Sequence, residues 1–196
     1  MQIGFIGVGA MGGGLARNLI RAGKSVLIYD INAATVEKTL AAGTSGKAVQ
    51  NAADLAGCDL VFTSLPLPAH LQETMLGDAG LLAKMSPGAV YIDVSTIDPG
   101  TARELQAAAK KKGIGFLECP LGKTPAQAET AEEPIFVGGD ETVYQKVKDI
   151  LEIIGNPVTY LGTVDAACAV KLISTLIGMT NLAVLAEGIR IGEAAG

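Results

Sequence analysis

Near the N-terminus, Gly7-Val8-Gly9-Ala10-Met11-Gly12 set three glycines at the spacing G-x-G-x-x-G. Gly7 permits a tight turn, Gly9 lets backbone approach a ligand, and Gly12 lets a helix pack close to a strand. An acid, Asp30, lies 18 residues beyond Gly12. That spacing suits a strand–turn–helix–strand unit whose second strand ends on a carboxylate. The chemistry is dinucleotide recognition: free N–H groups at the helix start hold a pyrophosphate, and the carboxylate accepts from a ribose 2′-OH. A glycine-rich turn without a ligand is the competing reading. Context disfavours it, because apolar Ile3–Ile6 precede the turn, a helical segment runs to Gly23, and Val26–Tyr29 lead into Asp30.

Other reactive side chains are few. Lys171 is the only basic residue from Leu161 to Gly188. Its amine can give or take a proton at a reacting oxygen; a snorkelling or solvated lysine fits the same surroundings. Lys123 and Thr124 sit in a loop after an apolar run, and Ser95-Thr96 follow another. The single His70 lies in the turn Pro66 to His70 and reads as a loop residue, not a catalyst. Cys58, Cys119 and Cys168 are widely spaced and form no metal pattern, so they read as reduced core thiols.

These residues need a scaffold, and the pattern supplies one. Short apolar runs alternate with amphipathic segments through 59–65, 89–94, 115–119, 135–137 and 158–161. Asn32 can cap a helix to about Ala42, Asn51 a short one before Gly57, and Asp98-Pro99 can open one to about Lys112. A helix is expected over 141–154, and Pro120 to Glu133 is expected to be a loop. Repeated β-α-β order with fully apolar strands implies an α/β fold, a doubly wound and mostly parallel Rossmann-type sheet. Ligands in such sheets sit beyond the strand C-terminal ends. The glycine turn, Leu65-Pro66, Ser95-Thr96 and the 120–133 loop are therefore expected at one crevice.

Apolar residues make up 49% of the chain and charged ones 18%, a globular composition. The net charge of −5 argues against nucleic acid or an anionic membrane as partner. No signal peptide is visible, and a cytoplasmic location is expected. The stretch from Ala166 to Ala194 contains no proline and reads as one long helix, apolar on more than one face. Lys171, Glu187 and Arg190 make it a poor membrane span. We expect residues 1–162 to form the dinucleotide-binding domain. Residues 163–196 should form a long helix starting a second, truncated or absent domain, or meeting a partner subunit.

The chain resembles the β-hydroxyacid dehydrogenases, the family of 3-hydroxyisobutyrate dehydrogenase. The resemblance rests on the G-F-I-G-x-G-x-M-G turn, D-V-S-T-I-D-P at 93–99, P-L-G-K-T at 120–124 and Lys171 early in the long helix. It implies an NAD(P)-dependent dehydrogenase or reductase acting on a small β-hydroxy acid or its semialdehyde, with Lys171 as the catalytic lysine. Gly7, Val8, Gly9, Ala10, Met11 and Gly12 would hold the pyrophosphate. Leu65 and Pro66 would line the ribose and nicotinamide path, and Thr96 would sit near the nicotinamide and substrate. The family usually continues into a helical domain that closes the site and builds a dimer, so a homodimer or higher oligomer is implied.

Asp30 favours NAD over NADP, since a carboxylate repels a 2′-phosphate and Ile31 is not the arginine that would welcome one. Two departures from the family stand out. Ser174 and Thr175 replace an asparagine pair, which leaves a Ser174 hydroxyl to reach a substrate oxygen. The loop Gly122-Lys123-Thr124 looks like that of 3-sulfolactaldehyde reductases, which implies a carboxylate or sulfonate held by Lys123 and Thr124. Glu129, Glu132 and Glu133 also depart from the usual pattern there. A dinucleotide-binding module without catalysis is the alternative of a different class, and an imine reductase is a third.

Overall fold

A computed structural model describes residues 1–196. The apolar runs become strands β1 (Gln2–Ile6), β2 (Ser25–Tyr29), β3 (Gly46–Ala48), β4 (Leu60–Thr63), β5 (Val90–Asp93), β6 (Gly115–Glu118), β7 (Ile135–Gly139) and β8 (Val158–Gly162). They form one sheet in the order β3-β2-β1-β4-β5-β6-β7-β8. Every neighbouring pair is parallel except β6 and β7. The chain moves outward from β1 to β3, then restarts at β4 on the other side of β1. That reversal is the switch point where ligands of doubly wound sheets bind.

Side chains alternate between the two faces, and each face has its own core. Ile3, Phe5, Phe62, Ile92 and Leu117 pack under α1 (Gly12–Arg21) and, farther along, α7 (Glu141–Ile154). On the other face Ile6, Val61, Tyr91 and Phe116 pack under α3 (Pro68–Met75), α4 (Leu81–Lys84) and α5 (Pro99–Lys111). The helix starts follow expected local chemistry. Asn32 accepts the N–H of Ala34 to cap α2 (Ala33–Leu40), and Asp98 accepts the N–H and hydroxyl of Thr101 at the start of α5. Asp54 accepts the N–H of Asn51 and closes a 3₁₀ turn over Ala52–Leu55.

Two expectations need correction. The segment Pro66 to His70 is not only a turn: Pro68 opens α3, so His70 is helical. Pro120 to Glu133 is not all loop, because α6 (Pro125–Thr130) begins on Pro125. In both cases proline takes the first helical turn, where its missing N–H costs nothing. The expected mostly parallel sheet is present, and its one antiparallel pairing is β7 against β6. The segment joining them doubles back at one end of the sheet, where Gly122 N donates to Pro134 O at 2.8 Å and Leu121 bridges Ile135.

The last helix, α8 (Val164–Ala195), is capped by Thr163, whose hydroxyl accepts the N–H of Ala166 at 3.2 Å. At 32 residues it is about 48 Å long. Val164, Ala167 and Cys168 are buried against the sheet and α5, but the apolar residues from Leu172 onward are exposed, Leu176 at 67% and Leu185 at 60%. By length and composition α8 is long and apolar enough to cross a membrane. Its uncharged stretch, 172–186, is shorter than the ~20 residues a bilayer core asks for.

Candidate functional site

The glycine turn is built by three close approaches. Gly7 has φ +86° and donates its N–H to Tyr29 O at 3.0 Å, which ties the turn to β2. A Cβ on Gly12 would fall 2.1 Å from Gly7 O, and one on Gly7 would fall 2.3 Å from Ser64 O. Around Gly9 there is open space, with nothing within 4 Å of a Cβ. The N–H groups of Gly9, Ala10, Met11 and Gly12 donate to no acceptor in the protein. Four free donors at the start of α1, with the positive end of its dipole, fit a pyrophosphate. Val8 differs from its neighbours: its side chain is buried, and its N–H is taken by Asp30 Oδ2 at 2.7 Å.

A cleft of about 1060 Å³ opens at this switch point. It is lined by Gly7, Gly9, Ala10, Met11, Gly12 and Asp30, by Leu65 and Pro66 after β4, and by Ser95 and Thr96 after β5. Lys123 and Lys171 line it as well, although 48 residues separate them in the chain. Most of the anticipated residues therefore share one space. Val8, Gly122, Thr124 and Ser174 do not line it. The Thr124 hydroxyl contacts Gln127 Oε1 at the start of α6, and the Ser174 hydroxyl donates back to Lys171 O at 2.9 Å.

Several cleft residues were not anticipated as such. His70, Glu73 and Thr74 reach it from α3, and Ile31, Asn32 and Thr35 flank Asp30. The signal for the first group is Pro68 as a helix start, four residues of loop after β4. No cation lies among Ile31, Asn32 and Thr35, and Ile31 is 93% exposed.

The segment from Pro120 to Glu133 is anchored from beneath. A Cβ on Gly14 would fall 2.8 Å from the Ala128 carbonyl carbon, so α6 rests directly on α1. Asn18 Nδ2 donates to Ala128 O at 2.8 Å, while Arg17 and Arg21 both engage the Glu129 carboxylate. Those two guanidinium hydrogen bonds hold Glu129 down to about 2. Glu133 follows α6, is fully buried, and accepts the Lys123 N–H. Burial pushes its carboxyl up, opposed by that N–H and by the charges of Lys171 and Lys123. The three thiols are buried and unpaired, and no cluster of metal-ligating side chains occurs.

Residues 2–162 match the NAD binding domain of 6-phosphogluconate dehydrogenase. The chain is 33% identical over 196 residues to the 2-(hydroxymethyl)glutarate dehydrogenase of Eubacterium barkeri, covering all of this chain and 65% of that protein. It is equally similar, with the same coverage, to the NAD-dependent L-serine dehydrogenase of Pseudomonas aeruginosa. The chain thus spans about 65% of the length of these curated relatives. The solved 3-hydroxyisobutyrate dehydrogenase of Mycobacterium tuberculosis with L-serine superposes with a TM-score of 0.90 at 28% identity, covering 100% of this chain and 66% of that one. A further solved structure, with TM-score 0.91 at 27% identity and covering 99% and 68%, is a complex with NADP+. The glycine turn, the sheet order and these matches together show that the chain belongs to the 6-phosphogluconate dehydrogenase-type NAD-binding family, among the 3-hydroxyisobutyrate dehydrogenase-like β-hydroxyacid dehydrogenases.

Proposed function

We propose that this chain serves an NAD-dependent oxidoreductase that moves a hydride between the nicotinamide and a small β-hydroxy acid or its semialdehyde. The observation that carries the reading is the single cleft shared by the glycine turn, Thr96, Lys123 and Lys171. When bound, the dinucleotide supplies or accepts the hydride. The chain's own residues do the rest. Gly9, Ala10, Met11 and Gly12 offer N–H groups to the pyrophosphate, and Leu65, Pro66 and Thr96 line the path beyond it. Lys171 Nζ, as ammonium, donates a proton to the carbonyl oxygen as the aldehyde is reduced; as neutral amine, it takes the hydroxyl proton in the opposite direction. Its charge also stabilises the developing alkoxide.

Lys123 is assigned to the anionic head of the substrate, a carboxylate or sulfonate, with Gly122 and Thr124 shaping the loop that presents it. Ser174, one turn from Lys171, lies outside the cleft with its hydroxyl donating to Lys171 O, so the substrate contact implied for it is not assigned. Preference for NAD over NADP rests on Asp30 and on the uncharged Ile31, Asn32 and Thr35 around it: a 2′-phosphate would meet a carboxylate and no cation. The exposed apolar length of α8 fits burial by a helical domain or a second copy in a homodimer or larger assembly. A cytoplasmic enzyme without nucleic-acid or membrane partners is consistent with the charge and composition.

Titration of the protein with NADH and NADPH, followed by assay of a panel of semialdehydes, β-hydroxy acids and sulfonated aldehydes, tests this. Lys171→Ala should remove turnover and leave NADH affinity intact. Turnover that survives the substitution would overturn the catalytic assignment. NADH binding with no turnover of any substrate would favour a dinucleotide-binding module without catalysis.

A further inference from the structure

Thr63, Asp93 and Glu118 stand in register across β4, β5 and β6, and all three are fully buried. They point to the face covered by α5 and the first turns of α8, beyond Tyr91 and Phe116. Asp93 Oδ1 accepts from the Thr63 hydroxyl at 2.6 Å, the Ser95 hydroxyl at 2.7 Å and the Ser95 N–H at 3.3 Å. The Ser95 oxygen in turn accepts the Leu65 N–H at 2.9 Å. One carboxylate oxygen therefore ties together the turns after β4 and β5 that wall the cleft. The other oxygen, Asp93 Oδ2, has no partner, and neither do Glu118 Oε1 and Oε2.

Three orphan carboxyl oxygens, carried by residues paired on neighbouring strands whose backbones run about 4.8 Å apart, pose a problem if both groups are charged. Two buried carboxylates this close do not both ionise. The groups facing them offer no cation. Tyr91 presents a hydroxyl bonded to Thr63, and Cys168 presents a buried thiol, while the Cys119 thiol lies on the opposite face of the sheet. Asp98 and Asp165 lie at the starts of α5 and α8, and Arg103 on α5 is engaged at the surface by Asp165. A proton is the remaining way to satisfy the pair.

We propose that the Asp93 and Glu118 pair keeps one proton, held on Glu118 as a neutral acid beside the Asp93 carboxylate, and that Asp93 is the positioning residue for Ser95 and Leu65. Burial and the neighbouring Asp93 charge raise Glu118 well above the ordinary carboxylate range, whereas Asp93, relieved by its hydroxyl donors, is pushed up only to about 6. The positioning half rests on the cofactor reading above; the proton half does not.

The test uses the full chain. In urea unfolding from pH 5 to 8, the native state keeps a proton on Glu118 that the unfolded chain has released. Wild type should lose stability relative to Glu118→Gln as pH rises, by up to about tenfold in the folding equilibrium constant per pH unit. Parallel curves overturn the retained proton. Infrared spectra provide a second measure that needs no stable variant: wild type at pH 7 should show the carbonyl stretch of a protonated carboxylic acid, and its absence also overturns it. Ser95→Ala and Asp93→Ala should weaken NADH binding several-fold, with Asp93→Asn, which keeps an acceptor for Ser95, restoring most of it. Wild-type affinity in both alanine variants overturns the positioning role. Wild type that binds no NADH at all defeats the cofactor reading, and the positioning role with it, and leaves the pH curves to decide the proton.

Discussion

Asp30 Oδ2 accepts the N–H of Val8 at 2.7 Å, and Asp30 Oδ1 accepts the N–H of Asn32 at 2.8 Å. The carboxylate at the end of β2 therefore holds the glycine turn and the entry to α2 together before any ribose arrives. Asp30→Ala should weaken NADH binding about tenfold or more, since a turn N–H loses its partner along with the ribose acceptor. It should also narrow the NADH to NADPH preference, because the charge that opposes a 2′-phosphate is gone. Fluorescence titration with both nucleotides measures the two effects, and an unchanged ratio would remove Asp30 from cofactor selection.

The glycines of the first turn divide into two kinds. Gly12→Ala places a Cβ 2.1 Å from Gly7 O, and Gly14→Ala places one 2.8 Å from the Ala128 carbonyl carbon. Both should cost roughly 1–3 kcal/mol of stability, read as a lowered Tm. Gly9→Ala meets nothing within 4 Å. It should melt like wild type and still bind NADH poorly, because its methyl group fills the pyrophosphate approach. Equal NADH affinity in Gly9→Ala and wild type would place the phosphates elsewhere.

Glu129 is charged and doubly paired in the native state, with its pKa lowered to about 2 by Arg17 and Arg21. A depressed acid contributes stability above its ordinary pKa and loses it as pH falls toward the native value. Its side chain is 37% exposed, so solvent screening reduces the contribution to about 1 kcal/mol. Glu129→Gln should be destabilised by about that much at pH 7, with the gap closing as the pH approaches 2. A gap that stays constant down to acid pH would mean that packing, and not charge, holds α6 to α1.

Lys123 faces the cleft from a loop that Glu133 holds by the Lys123 N–H. Lys123→Ala should raise KM for carboxylate or sulfonate substrates about tenfold or more while kcat changes little, the pattern of lost uniform binding. Lys123→Arg should recover much of it. A fall in kcat at unchanged KM would instead put Lys123 among the reacting groups.

Much of this architecture could be read along the chain. Every strand after Asp30 that the apolar runs implied is present within two residues of its expected ends, and the caps Asn32 and Asp98 act as their side chains allow. The elements not foreseen are short: β3 has three residues, α4 four, α6 six and α3 eight. Segments of that length carry too few apolar positions to display a period, and tertiary contacts stabilise them. Pro68, within an expected turn, and Pro125, within an expected loop, each open a helix, because proline serves turns and helix starts equally well.

The sequence by itself determined the glycine turn, the alternation of strand and helix, and the acid that ends β2. Each is written in backbone preferences and hydrogen bonds spanning a few residues. Only the tertiary structure decided which distant groups meet. Strand order sets Glu118 beside Asp93, 25 residues away, and α8 carries Lys171 to the cleft that Lys123 lines. Whether a carboxyl is a solvated cap like Asp98 or a buried acid in need of a proton like Glu118 depends on the surface that folding covers. No local pattern records that.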